Sequence, residues 1–319
     1  MLETPLRATA LVVGGGTMGA DVAMVLARAG CKTIVLESSA PRRELLPDYF
    51  ARGMSDLGYT NRLGRLSACE SLDDAPWSEV DLVIECIPER LDIKQSLFAE
   101  LEKRARSDAL LTSNSSSFPI SAIAAGLVTT GRMLGLHFFM PAHLVPLVEV
   151  ILHAGGSAAH ADTLAAFMRG CGMVPVIVKK DLPGFLANRL QHALAREAFS
   201  MIDEGIATPE DVDKAVRFGF GFRFLAAGPV LQRDHAGVEV HTAAAATMYP
   251  SLSAATLPAR VLREKVAAGK LGMKTGEGFF RWTQQSAAAE RKRYDDLLRA
   301  GLKLLAAELP RIADDDAGK

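Results

Sequence analysis

Residues 8–19 read ATALVVGGGTMG, and the fold turns on them. Ala8–Val13 is a short apolar run ending in glycines, which predicts a buried strand. Met18–Ala29 has helical character, and Gly30 stands where a helix C′ glycine belongs. Lys32–Leu36 (KTIVL) is β-branched and apolar, a second strand closed by Glu37. Strand, glycine turn, helix and strand fit one βαβ unit of roughly 30 residues.

The turn itself, Gly14-Gly15-Gly16-Thr17-Met18-Gly19, is a G-x-G-x-x-G. It follows a strand and opens a helix, the context in which this pattern binds a dinucleotide. Gly14 permits the tight turn, Gly16 lets a diphosphate approach the backbone, and Gly19 lets the helix pack on the strand. Thr17 and Met18 begin that helix, so the phosphates meet its amide donors and its positive dipole end. Glu37 closes the second strand at about the spacing (~20 residues) where an acid reads a ribose 2′-hydroxyl. A carboxylate there repels a 2′-phosphate, which favours NAD over NADP. FAD uses the same fingerprint, and features further along the chain favour a nicotinamide.

The chain has 319 residues, enough for about two domains of ordinary size. With 49% hydrophobic and 23% charged residues it can build cores without a disulfide or metal staple. Its 36 Lys and Arg against 37 Asp and Glu leave a net charge of −1, which gives no footprint for nucleic acid or an anionic membrane. The basic pairs Arg42-Arg43 and Lys179-Lys180 read as solvated surface. Cys31, Cys69, Cys86 and Cys171 form no CxxC or Cys/His cluster, so neither zinc nor a disulfide framework is expected. Free thiols suit a reducing compartment, and the N-terminus is unlike a signal peptide, so cytoplasm is the expected location. No apolar run approaches the ~18 residues of a membrane helix.

Beyond Glu37 the alternation continues. Strands are expected near Leu66–Cys69, at Asp81–Cys86, Ala109–Thr112, Met133–Phe138, Val145–Leu152 and Val174–Val178. Helices are expected at Asp92–Arg106 and Ser121–Ala125. This predicts an α/β, mostly parallel, doubly wound sheet. At Asp181-Leu182-Pro183-Gly184 a breaker cluster intervenes and the β-type runs stop. Phe185–Asp203 is helical and closed by Gly205. Thr208-Pro209-Glu210-Asp211 supplies an N-cap, a first-turn proline and an acid. Gly219–Pro229 reads as irregular, Leu257–Ala268 and Ala287–Leu309 as helices, and Asp314–Lys319 as a frayed tail. The expected domains are residues 1–180, a dinucleotide domain, and 181–319, all helical.

One stretch of the first domain carries chemistry. Residues 134–151 read LGLHFFMPAHLVPLVEVI. His137 ends one strand, and Glu149 lies in the next apolar run, where a carboxylate is costly unless paired. A strand–loop–strand return brings the two together. The carboxylate then fixes the imidazole tautomer and makes the other nitrogen a better base. Taken alone, a single histidine beside an apolar run is more often a core or surface residue.

The wider pattern resembles the 3-hydroxyacyl-CoA dehydrogenase family over nearly the whole chain. The landmarks are GGGTMG at 14–19, ECIPERLDIK at 85–94, SNSSS at 113–117, HFFMP at 137–141 followed by PLVEVI, KKDLPGFLANRL at 179–190, and KLGMKTGEGFF at 270–280. The resemblance implies a Rossmann-type NAD domain followed by an all-α domain that joins a homodimer. It implies His137 and Glu149 as the catalytic pair, Ser116 as a substrate contact, and Asn188 as the interdomain asparagine. It implies Glu89 and Lys94 on the nicotinamide side, with Asn114 also in the cofactor set. The remaining histidines match no landmark and read as structural or surface.

Three departures bear on the substrate. Met140 replaces the Asn of the family's HFFNP. The segment between Glu37 and Leu66 is short, whereas acyl-CoA enzymes carry a longer helical arm there. Residues 219–231, GFGFRFLAAGPVL, resemble relatives that act on free small acids, namely gulonate, carnitine and pyridine-carboxylate dehydrogenases. The substrate is therefore either a 3-hydroxyacyl-CoA or a CoA-free 3-hydroxy acid. Arg223, whose planar fork suits a carboxylate, is a candidate for binding the free acid. The competing readings are a non-enzymatic NAD-binding structural protein and a 6-phosphogluconate-like dehydrogenase. The second needs a catalytic Lys, and none lies between 181 and 213. The Ala-rich stretch Val240–Leu257 serves either as a dimer surface or as internal core.

Overall fold

The computed structural model describes residues 2–312; the expected frayed tail, Asp314–Lys319, lies outside the described residues. The β-branched runs assemble into one eight-stranded sheet. Its order is β3 (Leu66–Cys69), β2 (Lys32–Leu36), β1 (Thr9–Val13), β4 (Leu82–Glu85), β5 (Leu110–Ser113), β6 (Met133–Phe138), β7 (Leu147–Ile151) and β8 (Val174–Val178). β1 lies centrally, with β2 and β4 on either side in parallel register. Alternate side chains of β1 serve opposite faces. Ala10 and Val12 join the core formed with α1 (Thr17–Arg28) and α2 (Ala40–Leu57). Leu11 and Val13 join the core formed with α3 (Leu91–Arg104) and α4 (Ile120–Ile123). The architecture is a Rossmann-type doubly wound sheet.

The last two strands reverse the direction of the sheet. Only residues 139–146 connect β6 to β7, too few for the crossover of a dozen or more residues that parallel neighbours need. β7 therefore returns antiparallel, and His137 and Glu149 become register partners. α5 (Ala158–Gly170) supplies a full crossover, so β8 pairs parallel to β7. Between β2 and β3 stand the single 18-residue α2 and one 3-10 turn at Thr60–Arg65.

Residues 189–306 form one compact unit, and the described residues before and after them form the other. The segment 181–188, expected in the second domain, stays with the sheet. The Asp181 carboxylate accepts the Ile120 and Ser121 amides at 2.8 and 2.7 Å, and Phe185 is buried in the sheet's core. The second unit is helical apart from isolated bridges at 272–281. It holds most of α6 (Ala187–Asp203), then α7 (Pro209–Ala215), α8 (Gly221–Arg223), α9 (Leu231–Ala236), α10 (Val238–Met248), α11 (Arg260–Ala267) and α12 (Gln284–Leu304). Thr208 caps α7 as its sequence signals, its side chain accepting the Asp211 amide. Gly219–Pro229, expected to be irregular, instead joins a π-type turn, broken at Gly219, to the short α8. No helix among the described residues is long and apolar enough to cross a membrane.

Candidate active site

The glycine turn shows why each position needs its residue. Gly14 has φ +108°, and a Cβ there would stand 2.7 Å from the Cys86 carbonyl oxygen. A Cβ on Gly19 would stand 1.9 Å from the Gly14 oxygen. Gly16 is different, because a Cβ there would meet nothing within 4 Å. Open space therefore lies over the start of α1, whose first residues, Thr17 and Met18, have no side-chain cap. Their amides lack intrahelical acceptors, which suits a diphosphate. At the end of β2, Glu37 is buried and accepts from the amides of Gly15 (3.2 Å) and Ser39 (2.8 Å). Arg42 lies 3.6 Å from the same carboxylate. Arg43, read as solvated, donates to the Glu37 carbonyl at 2.8 Å and pairs with Glu70, which ties the turn after β2. These residues fit NAD: a glycine cradle, free helix amides, and an acid where the ribose diol would lie.

His137 and Glu149 meet as the sequence reading expects. His137 Nδ1 lies 2.8 Å from Glu149 Oε2, and both side chains are buried. The other carboxylate oxygen accepts the Leu186 and Ala187 amides at 3.0 and 2.8 Å, at the start of α6. Burial alone would raise the Glu149 carboxyl. The His137 ring and the two amides outweigh it and hold the carboxyl below its ordinary value. An ionised Glu149 can only accept, so Nδ1 carries the proton and Nε2 has the free lone pair. The Ser116 hydroxyl, 3.0 Å from Nε2, donates to it. Two rings flank the imidazole: Phe139 edge-on at 4.6 Å between centroids, and Phe185 at 5.5 Å. Phe185 holds φ +51°, a left-handed conformation that costs a non-glycine residue about 1–2 kcal/mol. That backbone aims the next two amides at Glu149.

The serine loop rests on a buried charge cluster that the sequence reading caught only in part. Glu85 ends β4 fully buried; its carboxylate accepts from Lys94 Nζ and the Ile87 amide, both at 2.7 Å, and from the Ser113 hydroxyl at 2.6 Å. Lys94, 1% exposed, also faces the Ile87 carbonyl at 3.3 Å and Glu89 Oε2 at 3.1 Å. Glu89 Oε1 accepts the Ser115 hydroxyl at 2.5 Å and the Ser116 and Ser117 amides at 3.2 and 2.9 Å. Burial opposes the Glu89 charge, yet the serine donors and Lys94 depress its carboxyl. A carboxylate inside an apolar strand was the signal that marked Glu149 in LVEVI. The same signal in LVIE marks Glu85. Removing one partner of such a buried pair costs about 3–5 kcal/mol.

Asn114 accepts the Phe138 amide at 2.8 Å and so ties the serine loop to β6. Asn188 is the second residue of α6, directly after the amide that Glu149 holds. Met140 is 59% exposed, three positions beyond His137. Arg223 is exposed at the end of α8 in the helical unit. His143, read as structural or surface, lies 3.1 Å from the buried Asp21 of α1, and Tyr49 donates to the other Asp21 oxygen at 2.6 Å.

Known proteins place this geometry in one family. Residues 9–182 match the NAD-binding domain of 3-hydroxyacyl-CoA dehydrogenase, and residues 184–282 match its C-terminal domain. The chain is 32% identical over 284 residues to 5-formyl-3-hydroxy-2-methylpyridine 4-carboxylate 5-dehydrogenase of Mesorhizobium japonicum, spanning 87% of this chain and 92% of that protein. The crystal structure of a 5-formyl-3-hydroxy-2-methylpyridine 4-carboxylic acid 5-dehydrogenase, an NAD+-dependent dismutase, superposes with a TM-score of 0.87 at 30% identity, covering 94% of this chain and 98% of that one. (S)-3-Hydroxybutyryl-CoA dehydrogenase from Ralstonia eutropha superposes with a TM-score of 0.72 at 29% identity, covering 88% of this chain and all 100% of that one. The chain belongs to the 3-hydroxyacyl-CoA dehydrogenase family and is an NAD-dependent oxidoreductase acting on CH–OH groups.

Proposed function

We propose that His137 is the general base that takes the substrate's hydroxyl proton, with Glu149 as its positioning residue. The observation that carries this is the Nδ1–Oε2 contact of 2.8 Å, which leaves Nε2 basic. In the free protein the Ser116 hydroxyl occupies that lone pair and stands in for the substrate's own hydroxyl. When substrate enters, its hydroxyl replaces Ser116 on Nε2. Ser116 then turns to the reacting oxygen, and Asn188 is the second donor there. NAD, when bound, accepts the hydride. Gly14, Gly16, Gly19, the Thr17 and Met18 amides and Glu37 hold its adenosine and diphosphate, and Asn114 borders the nicotinamide half. In the reducing direction protonated His137 returns its proton to the carbonyl oxygen, and Glu149 stabilises the imidazolium meanwhile. A His137→Gln variant is expected to bind NAD with unchanged affinity and lose most turnover; an unchanged rate would defeat the assignment.

For the substrate we infer a CoA-free small hydroxy acid, with the 3-hydroxyacyl-CoA thioester as the second reading. The larger TM-score against the pyridine-carboxylate enzyme than against the acyl-CoA enzyme, 0.87 against 0.72, supports the free acid. So does the single helix between β2 and β3. Met140 then offers a thioether wall to the substrate, and Arg223 a carboxylate fork. Comparing NADH consumption with acetoacetyl-CoA and with a panel of free 3-oxo acids separates the two. Efficient acetoacetyl-CoA turnover would end the free-acid reading.

The chain works as a homodimer joined through residues 189–306, in the cytoplasm. Among the described residues of that unit only Gly278 and Ala287 are buried. Phe218, Phe222, Val230, Val240 and Tyr249 are all more than half exposed. A helical domain of this size normally hides such side chains, and a second copy is the simplest cover. Four free cysteines suit a reducing compartment.

A further inference from the structure

The resemblance places Glu89 and Lys94 beside the nicotinamide, but the geometry points to a different task. We propose that Glu89 is a positioning residue that holds the serine loop 115–117 so that the Ser116 hydroxyl reaches His137 Nε2, and that Lys94 acts through Glu89 without touching the cofactor. This rests on the reading of His137 as the acid–base group.

Lys94 has three N–H donors, and three acceptors surround its ammonium: Glu85 Oε1 at 2.7 Å, Glu89 Oε2 at 3.1 Å and the Ile87 carbonyl at 3.3 Å. At 1% exposure it has no donor left for a ligand. Its charge sits between two carboxylates, so it fixes Glu89 from behind. The opposite oxygen of Glu89 gathers three donors from three consecutive residues, the Ser115 hydroxyl and the Ser116 and Ser117 amides. Three donors converging on one oxygen impose a tight loop. Ser115 Oγ in turn accepts the Phe118 amide at 3.1 Å, and Ser113 Oγ accepts the Ser115 amide at 3.1 Å, which closes the loop from below. Within this loop the Ser116 hydroxyl is the one that reaches the imidazole, at 3.0 Å.

The cluster also sets charge. Glu85, Glu89 and Lys94 together carry one net negative charge behind the serine loop. A fixed negative charge close to His137 favours its protonated form. Glu89 thus affects both where Ser116 stands and how readily the imidazole takes a proton.

The test is Glu89→Gln, a change of the same shape at a half-exposed side chain, read with Glu89→Asp, which keeps the charge on a shorter arm. Steady-state kinetics over a pH series, NAD titration by fluorescence and the imidazole 15N shifts of His137 supply the readouts. The expected result for Glu89→Gln is a kcat lower by roughly 10- to 100-fold. NAD affinity should hold within about threefold, the acidic limb of the kcat profile should move down by roughly half a unit, and the Nε2 signal should change. Glu89→Asp should keep the limb in place with a smaller loss of kcat. If Glu89 instead contacts the cofactor, NAD affinity falls tenfold or more while kcat and the limb hold, and the proposal is overturned. It is also overturned if both variants match the parent. His137→Gln, measured alongside, tests the acid–base reading separately, since that reading survives either outcome at Glu89.

Discussion

Glu149→Gln puts the orienting role of this carboxylate to a decisive test. The carboxylate gives one oxygen to His137 Nδ1 at 2.8 Å and the other to the Leu186 and Ala187 amides at 3.0 and 2.8 Å. A carboxamide of the same shape has one oxygen and one NH2. If the oxygen stays with the two amides, the NH2 faces Nδ1, which must then accept, and the ring proton moves to Nε2. If the oxygen turns to Nδ1, the NH2 confronts two amide donors and leaves both unsatisfied in a buried place. Each such donor costs about 1–3 kcal/mol. Two amide bonds outweigh one imidazole bond, so the oxygen stays and most molecules hold the inactive tautomer. The acid-to-amide change at the histidine-orienting position of a serine hydrolase lowers kcat about 10⁴-fold. Here we expect a loss of about 10³- to 10⁴-fold, or roughly 4–5 kcal/mol of barrier. The assay is the initial rate of NADH formation at saturating NAD, with NAD affinity and the His137 15N spectrum measured in parallel. NAD affinity should be unchanged and the ring proton should be found on Nε2. A kcat within about tenfold of the parent, or a ring proton still on Nδ1, would refute the reasoning.

Gly16→Ala should leave the melting temperature near the parent's, since its Cβ enters open space, while NAD affinity falls at least about tenfold; calorimetric melts and NAD titration check both halves. Gly19→Ala should instead destabilise the fold, because its Cβ would stand 1.9 Å from the Gly14 oxygen. In acid, the depressed carboxyls of Glu149, Glu89 and Glu102 bind fewer protons when folded than when unfolded. Their stabilisation is complete above the unfolded value of about 4.3 and lost as pH falls through their lower folded values, so Glu149→Gln should flatten the acid fall in melting temperature; parallel curves would contradict this. Equilibrium sedimentation should return twice the 34.1 kDa chain mass, and Phe218→Glu with Phe222→Glu should shift it toward the monomer.

How much of this was legible depended on where the signal resides. The βαβ unit was legible because KTIVL is β-branched and apolar between glycine breakers, and it forms β2 as read. The His137–Glu149 pair was legible because an acid inside LVEVI demands a partner. α2 left no clean signal, as Pro47 stands inside it and charged residues crowd its first half. α12 begins at Gln284, before the expected Ala287, because Thr283 and Ser286 cap it reciprocally. A serine in place of the usual Glu or Gln hides that box. The Leu186 and Ala187 amides, which complete Glu149, are backbone groups, and side-chain pattern carries no trace of them. The left-handed Phe185 was equally hidden, since sequence suggests that conformation only for glycine, asparagine or aspartate.

The base and its orienting acid are opposed residues of neighbouring strands, so the ladder of the sheet sets their separation. The connection from 139 to 146 bears no part of that spacing. It behaves as a replaceable cassette: Met140 and its neighbours can be exchanged to retune what the enzyme accepts, with the His143–Asp21 pair as the tether to keep. Selectivity can drift in this protein while the proton-transfer machinery stays constant.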